Sequence, residues 1–176
     1  QITQIVTNTN PAGPRHYYAK WTPKTYSLSY DLHDSTPAGH PASNPDSGFT
    51  TYTVETPNHT FGNPTRPGYT FLGWYDNAAF TGTPVTQFSA MDAAPKTFYA
   101  KWSNANSYPV NFHLNDAAPA GHPAVNPNTI SSYTVLDSDI AIAPVTRTGY
   151  DFEGWYDNPG FTGTPITGFS TSDAVN

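Results

Sequence analysis

The sequence contains no cysteine, only seven lysines and arginines, and no apolar run long enough to cross a bilayer. Without cysteine the chain forms no disulfide and no thiolate site. The cations are scattered singly in a chain of net charge −6. Nucleic acid and anionic membranes require clustered cations, so neither is expected as the main partner. A spanning helix needs ~20 apolar residues, so we expect no membrane insertion by this segment.

What the chain does contain is 18 prolines, 13 glycines and 15% aromatic residues among 176 positions. Proline and glycine at this density favour turns and short strands over helices, and the aromatic side chains are left to form the core. We therefore predict a mainly β fold with little or no helix. The chain begins at Gln1 with no methionine and no signal peptide, and we expect it to be an internal piece of a longer protein.

One stretch occurs twice and organises the rest. Residues 68–86 read GYTFLGWYDNAAFTGTPVT, and residues 149–167 read GYDFEGWYDNPGFTGTPIT. The spacing is 81 residues and 14 of the 19 positions are identical. A period of this length indicates tandem copies of one small folding unit. No residue cluster has the pattern of an active site, so function must be argued mainly from architecture.

The repeat divides the chain into three parts. Residues 1–22 are predicted to carry the last strand of a preceding copy, because Tyr17-Tyr18-Ala19-Lys20-Trp21 matches residues 98–102. Residues 23–102 form module one. Residues 103–176 form module two, which stops before its own counterpart of that last strand. Losing a strand should matter in so small a core.

Alternating side chains predict the strands within each module. Residues 26–32 and, in module two, 110–114 alternate apolar and polar positions, which is typical of half-buried strands. Further strands are expected at 49–54, 59–62 and 98–102. The Pro/Gly-rich excursions at 33–44 and 115–126 are expected to be irregular, because proline lacks a ladder donor. Helical turns are expected only at 89–94 and 171–175.

Comparison of the two copies predicts which face of the repeated strand is buried. Leu72 of module one becomes Glu153 of module two, and a buried site would rarely accept that change. We therefore assign Tyr69, Phe71 and Tyr75 to the core and the opposite face to solvent or to a contact between copies. Trp74 and Trp155 fall on the exposed parity and are expected to cover an edge or joint. Their neighbouring glycines, 73 and 154, are expected to mark a bulge or a close approach by the indole.

These residues resemble a known family. The pattern Pro-Thr-Arg-Pro-Gly-Tyr-Thr-Phe-Leu-Gly-Trp-Tyr-Asp at 64–76, ending in Tyr-Ala-Lys-Trp at 99–102, closely resembles the Listeria–Bacteroides repeat, the B-repeat of internalin-like bacterial surface proteins. The resemblance covers nearly the whole chain. It implies small β-grasp-like modules in tandem, displayed outside a bacterium between an adhesive head and the cell wall, with no catalytic residues. The long Pro-Ala-Gly-His-Pro excursion departs from the family's short Asn-Gly-Gly turn.

Metal, crosslinking and catalytic chemistry are weakly supported by the residues. Zinc needs three or four convergent ligands, whereas His40 and His122 occur once per copy. Asp76-Asn77 and Asp157-Asn158 are predicted to form turns rather than part of a calcium site, which needs six to eight oxygens. Lys20 and Lys101 could in principle form isopeptide bonds with asparagine, but no acid recurs between copies to assist them. We expect no enzyme activity, no cofactor and no metal.

The candidate contact residues are aromatic or apolar side chains on the face opposite the assigned core: Trp74, Trp155, Tyr99, Tyr18 and Leu72. Packing between neighbouring repeats is the favoured role, and stacking against a host glycan or protein is the alternative. Residues 17–21 are also a candidate for strand addition to a module two that lacks its last strand, in another copy of the chain.

The sequence therefore predicts a non-catalytic tandem β module in a bacterial cell-surface adhesin, secreted or attached to the cell wall. Short joints of three to five residues are expected to limit bending, so that the copies stack as an extended rod. The rod would act as a stalk that projects a distal domain. Direct binding of a host ligand, and filament assembly through residues 1–21, are the alternative functions.

Overall fold

The computed structural model describes residues 13–14 and 16–173 and confirms a mainly β chain with almost no helix. The strands of module one are β1 Tyr26–Asp31, β2 Thr51–Tyr52, β3 His59–Thr60, β4 Phe71–Tyr75, β5 Gln87–Phe88 and β6 Lys96–Trp102. Those of module two are β7 Tyr108–Pro109, β8 Ala124–Val125, β9 Ser132–Tyr133, β10 Ile140–Ala141, β11 Thr146–Arg147 and β12 Gly168–Phe169. Single-turn 3₁₀ helices cover Ala90–Asp92 and Thr171–Asp173, where helical turns were predicted. Within the described ranges no helix is both long enough and apolar enough to cross a membrane.

Module one is built on a four-stranded sheet in the order β2-β1-β6-β4. Strand β6 lies in the middle, parallel to β1 and antiparallel to β4. It is the longest strand of the described chain, and its Phe98 and Ala100 are 5% and 0% exposed. Removing β6 would therefore uncover the core and deprive both of its neighbours of a hydrogen-bonding partner.

Aromatic side chains dominate the core of module one. The buried cluster comprises Leu28, Tyr52, Phe61, Trp74, Phe88, Ala90, Phe98 and Ala100. The Phe61 ring lies 4.6 Å from the Phe98 ring and 6.1 Å from the Trp74 ring, in tilted arrangements that aromatic pairs favour. With few methyl-bearing residues available, ring packing supplies the apolar burial that an ~80-residue unit needs.

The predicted exposure of Trp74 is wrong. Its side chain is 2% exposed, and its Nε1 donates a hydrogen bond to the Gly62 carbonyl at 3.0 Å. The β4–β6 register shifts between Phe71 and Gly73, so the strict alternation assumed from the sequence breaks there. The bulge expected at Gly73 is therefore confirmed, and the bulge itself turns Trp74 inward. The close neighbour of Gly73 is Pro84, whose side chain leaves no room for a Cβ, and not the indole.

The same bulge separates the three residues that were assigned to one core face. Tyr69 and Tyr75 are buried, at 5% and 7% exposure, but neither belongs to the main core cluster. Phe71 is half-buried and packs against that cluster. Tyr75 lies on the other side of the sheet under Lys101, whose Nζ is 5.2 Å from the Tyr75 ring.

Module two repeats the pairings of module one only in part. β7 pairs with β9, β8 with β11, and β10 with β12, as the corresponding segments do in module one. The strand predicted at 110–114 does not form: the structure assigns only residues 108–109 of that segment to a strand. In module one the equivalent strand pairs with β6 over four positions, and no strand among the described residues of module two takes that place. The strand predicted at 49–54 is likewise shorter, at residues 51–52.

Candidate functional site

The open groove of module two is the main candidate site. It is a cavity of about 1000 Å³, and it occupies the place that β6 fills in module one. Its walls are the segments equivalent to β1 and β4, with apolar side chains from both: Val110, Phe112, Leu114, Phe152 and Trp155. Phe161, from the turn that follows, also lines it.

Equivalent residues of the two modules show what the groove exposes. Trp74 is 2% exposed, whereas its counterpart Trp155 is only half-buried. Phe71 is half-buried, whereas Phe152 is 39% exposed. Trp155 still packs on the Phe112 ring at 5.0 Å, and its Nε1 donates to the Ala143 carbonyl at 2.9 Å. The described residues of module two therefore keep the local contacts of module one around the groove.

A second feature is the segment that resembles that strand. Residues 17–21 match residues 98–102 at four of five positions. Tyr17, Tyr18 and Trp21 are 86%, 90% and 88% exposed, and no strand is assigned to the segment in the described part of the chain. Three largely exposed aromatic side chains thus lie within five residues of one another.

The joint between the modules is packed. Tyr69 of module one and Val135 of module two are 5% and 7% exposed and form a second buried cluster, against which Trp102, Ala105, Tyr108 and Tyr133 pack. The Asn106 backbone N–H donates to the Gly68 carbonyl at 2.8 Å. Gly68 has φ +74°, and a Cβ there would collide with the Val135 side chain. Side-chain packing and a backbone hydrogen bond thus hold the joint 103–107 against both modules.

Arg66 organises the long excursion of module one, and the sequence analysis missed it. The side chain is 3% exposed and donates hydrogen bonds to five backbone carbonyls, those of His33, Asp34, Thr36, Pro37 and His40. Its guanidinium also lies 4.1 Å from the Tyr69 ring centroid. Carbonyl dipoles and an aromatic face are what a buried guanidinium needs in the absence of a carboxylate partner. The Arg66 side chain therefore fixes the conformation of the excursion. It also packs on Tyr69, which belongs to the joint cluster.

The same arrangement recurs in module two. Arg147 donates to the carbonyls of His122, Asp116, Ala118 and Pro119, and lies 4.2 Å from the Tyr150 ring. An arginine at the same position in both copies, in a chain with so few cations, was the signal that could have identified the pair. In each module an aspartate supports the loop: Asp34 accepts from the Ala42 N–H at 2.7 Å, and Asp116 accepts from the Ala124 N–H at 2.8 Å.

The candidate contact residues are dispersed over the molecule. Trp74 is in the core, away from both joint and solvent. Leu72 is 48% exposed, on the solvent side as expected. Tyr99 is half-buried, with its ring 5.8 Å from that of His33. Trp155 lines the groove and Tyr18 lies on the exposed segment. The structure therefore does not gather the five residues into one ligand surface.

Metal-binding side chains do not converge within residues 13–14 and 16–173, where no group of three or more His, Asp or Glu could hold an ion. The predicted Asx turns are present instead. Asn77 Oδ1 accepts from the Thr81 N–H at 3.1 Å, and Asn158 Oδ1 accepts from the Thr162 N–H at 3.1 Å. These side-chain bonds use the oxygens for turn formation.

One group in the described chain has a clearly perturbed pKa. Burial, with a smaller contribution from the negative charge of Asp46, raises the pKa of the Tyr30 hydroxyl from 10.0 to about 12. This hydroxyl is enclosed and makes no hydrogen bond within the described residues. Tyr30 packs against Trp74 with ring centroids 5.3 Å apart, so the perturbation belongs to the core and not to a reactive site.

Comparison with known proteins gives one family. The model described as the Listeria-Bacteroides repeat domain matches residues 26–101 and again 108–175. Internalin H of Listeria monocytogenes serovar 1/2a is 34% identical over 96 residues, which cover 53% of this chain and 15% of that protein. No solved structure matches the chain significantly.

Two proteins of Evansella cellulosilytica are also similar. One, named "Putative membrane protein", is 28% identical over 142 residues, covering 78% of this chain and 19% of that protein. The other, named "Putative Gly-rich membrane protein", is 32% identical over 105 residues, which cover 53% of this chain and 11% of that relative. The chain thus spans less than a fifth of each of these three relatives.

Proposed function

Because the chain belongs to the Listeria–Bacteroides repeat family, we propose that it is a non-catalytic stalk, or spacer, in a bacterial cell-surface adhesin. The family occurs in internalin-like surface proteins, as the similarity to Internalin H illustrates. In this role the repeats lie outside the cell, secreted or attached to the wall, and hold a distal domain away from it. A stalk needs stable modules and joints that resist bending, and requires no catalytic groups.

The observation that carries the proposal is the packed joint. Tyr69 and Val135 meet across it, so the modules are not connected by a free linker. Free linkers let neighbouring domains sample many orientations, whereas a buried apolar contact favours one. In a tandem array, one preferred orientation repeated at every joint produces a solenoid-like assembly in which each repeat contacts its neighbours.

The contact can be repeated at both ends of the pair. Val54, the counterpart of Val135, is 51% exposed on module one. Tyr150, the counterpart of Tyr69, is 48% exposed on module two. Each module therefore carries a tyrosine that can pack on the next repeat and a valine that can pack on the previous one. A preceding repeat could dock on Val54, and a following repeat could dock on Tyr150. This complementarity supports a stalk of many modules.

Small-angle X-ray scattering of the whole chain tests the stalk. We expect the distance distribution of an elongated particle, with the two modules separated along one axis. The profile should be unchanged by ionic strength, because the joint is apolar and the chain carries few charges. A compact profile, with the modules folded back on each other, would contradict the proposal.

Direct binding of a host glycan or protein is a second candidate function. Its supporting observation is an open cleft of about 630 Å³ beside the joint, whose lining includes Phe80, Lys101 and Leu136. Leu136 is 53% exposed there. Glycan-array binding that is lost in Leu136→Asp, with unchanged thermal unfolding, is the expected result for a ligand site. Equal glycan binding by the wild type and by Leu136→Asp would exclude this cleft as the site.

A further inference from the structure

We propose that the cleft beside the joint is a carbohydrate site, and that its ligand is a sugar carrying a carboxylate group. The cleft has a volume of about 630 Å³, within the range of about 300–1,000 Å³ that is usual for ligand pockets. Its walls come from the excursion and the last strand of module one, from the joint, and from residues 134 and 136 of module two. The proposal rests on the second candidate function, ligand binding at this cleft, and specifies the chemistry of the ligand. It does not depend on the stalk.

The charge of the lining is the first argument. Lys101 and Arg66 line the cleft, and among the described residues no aspartate or glutamate does. The chain as a whole has the opposite balance, with 13 acidic residues against seven lysines and arginines. A concave site lined by charges of one sign concentrates their potential, so this cleft favours an anionic ligand.

Carboxylates in the adjoining segments are bonded to their own backbone. Asp31 Oδ1 accepts a hydrogen bond from the His33 backbone N–H at 3.0 Å. Asp137 Oδ2 accepts from the Thr134 backbone N–H at 2.6 Å. These bonds hold each carboxylate within its own turn, and neither aspartate belongs to the lining of the cleft.

Lys101 is the cation that a ligand can reach. Arg66 is 3% exposed, and its donors are already bonded to the carbonyls of the excursion. Lys101 is half-buried, and it forms no ion pair within residues 13–14 and 16–173. Its Nζ lies 5.2 Å from the Tyr75 ring and 5.7 Å from the Phe80 ring. The two rings hold the ammonium in place without neutralising its charge, which leaves it able to pair with a carboxylate.

The rest of the lining has the mixed character that a sugar ring requires. Phe80 and Trp102 are half-buried and Leu136 is 53% exposed, so the cleft offers apolar surface to the C–H face of a pyranose. Thr36 and Asn104 are exposed in the same lining and offer a hydroxyl and an amide to the sugar hydroxyls. An inorganic anion would use the charge alone, whereas an acidic sugar uses all three kinds of group.

The Phe80 ring is already positioned for a ligand. Its residue has φ +54°, a conformation that side chains other than glycine rarely adopt, and its N–H donates to the Asn77 carbonyl at 3.2 Å. The ring lies 5.0 Å from the His33 ring and 5.5 Å from the Tyr75 ring, edge-on to both. A side chain that is fixed before binding loses little conformational entropy when a ligand packs on it.

Titration of the whole chain with three methyl glycosides, followed by backbone chemical shifts, tests the ligand class. Methyl β-glucuronide and methyl β-glucoside share one ring and differ only in carrying a carboxylate or a hydroxymethyl group. We expect the glucuronide to bind roughly two- to fivefold more tightly, the range of one exposed ion pair, with shifts centred on residues 101–105. Methyl α-N-acetylneuraminide is the third probe. Tighter binding of this probe would identify the terminal acid of a cell-surface glycan as the source, and tighter binding of the glucuronide would identify a polyuronide; either result supports the acidic-sugar site.

Matched substitutions at position 136 separate charge from shape. Module one has Glu55 at the equivalent exposed position, so neither Leu136→Glu nor Leu136→Gln threatens the fold. Leu136→Glu places a carboxylate in the lining and should abolish the preference for the glucuronide, whereas Leu136→Gln should keep it. Lys101→Gln should also abolish the preference. Lys24→Gln makes the same change at an exposed lysine outside the lining and should leave the preference intact.

Two results would overturn the proposal in different ways. Equal binding of the glucuronide and the glucoside, with shifts at the cleft, would overturn the acidic ligand while leaving the cleft as a glycan site. No shifts at residues 101–105 with any of the three glycosides would overturn both, in favour of a protein ligand for the cleft. A preference for the glucuronide that persists in Leu136→Glu would show that the acid binds elsewhere.

Discussion

Tyr69 and Val135 bury each other across the joint, while their counterparts Tyr150 and Val54 remain about half exposed at the two ends of the pair. Burial here depends on neighbouring modules and not on the fold of one module. Val135→Asp should therefore loosen the joint, because an unpaired carboxylate would replace an apolar contact. Residual dipolar couplings should fit one alignment tensor for both modules in the wild type and require two in the variant.

The matched control is Val54→Asp, which makes the same chemical change at the equivalent but exposed position. We expect it to leave the couplings fitting a single tensor and to change the free energy of unfolding by less than ~0.5 kcal/mol. Two tensors in the wild-type chain would contradict the packed joint.

Arg66 is predicted to be a structural residue of the excursion. Arg66→Lys keeps the charge, but a single ammonium cannot replace a planar fork that reaches five carbonyls. Leaving several buried acceptors unpaired should cost about 1–3 kcal/mol, measured by chemical denaturation. Arg147→Lys should cost less, because Arg147 is only half-buried. A cost for Arg66→Lys equal to that of the exposed control Lys24→Arg would refute this role.

How far the sequence predicts the structure is clearest along one strand. Period-two alternation correctly placed β1 at residues 26–31 and the last strand at 98–102, because both lie in a regular ladder. The same rule failed at Trp74, because the bulge at Gly73 shifts the register by a local event that alternation does not encode. Gly73 predicts the bulge, but alternation alone does not predict the shifted register of the residues that follow it.

Other features depended on contacts that lie far apart in sequence. The excursion was correctly predicted to be irregular, but the fold of residues 33–44 depends on Arg66, more than twenty residues away. The segment 110–114 has the right pattern but is not assigned to a strand, and no described strand of module two takes the place that β6 holds beside β1. The sequence pattern also does not show that Tyr69 belongs to the joint cluster. Alternation predicts only that Tyr69 is buried, and a residue packed in the joint is buried as well as one packed in the core.

Trp74 and Trp155 offer a direct comparison of one side chain in two environments. Trp74→Ala should destabilise module one by about 3–5 kcal/mol, the usual cost of removing a buried large aromatic side chain. Trp155→Ala should cost less, because its indole borders the open groove. Leu72→Glu introduces the residue of the other copy at an exposed site and should be nearly neutral. Thermal unfolding followed by tryptophan fluorescence and circular dichroism would rank the three variants.

Tyr30 gives module one a dependence on alkaline pH. Its folded pKa, raised to about 12 by burial, exceeds the value of about 10 expected in the unfolded chain. The folded state therefore holds its proton more tightly, and the stability that this provides is complete below pH ~10 and is lost as the pH rises toward 12. Melting temperatures across this range should fall more steeply for the wild type than for Tyr30→Phe.

The same substitution has an expected effect at neutral pH. Module two already has Phe112 at this position, and the Tyr30 hydroxyl has no hydrogen-bond partner in the described structure. Tyr30→Phe should therefore be neutral or slightly stabilising at pH 7. A large loss of stability at pH 7 would mean that the hydroxyl is hydrogen-bonded.

The two modules are also predicted to differ in local stability, although their sequences are closely related. In module one β6 is hydrogen-bonded to β1 on one side and β4 on the other, which protects the amides of all three strands. In module two the segments 110–114 and 152–156 face an open groove, and their amides lack that ladder. Hydrogen exchange should be faster in these segments than in 28–32 and 71–75. Similar protection of the equivalent segments in the two modules would contradict this difference in local stability.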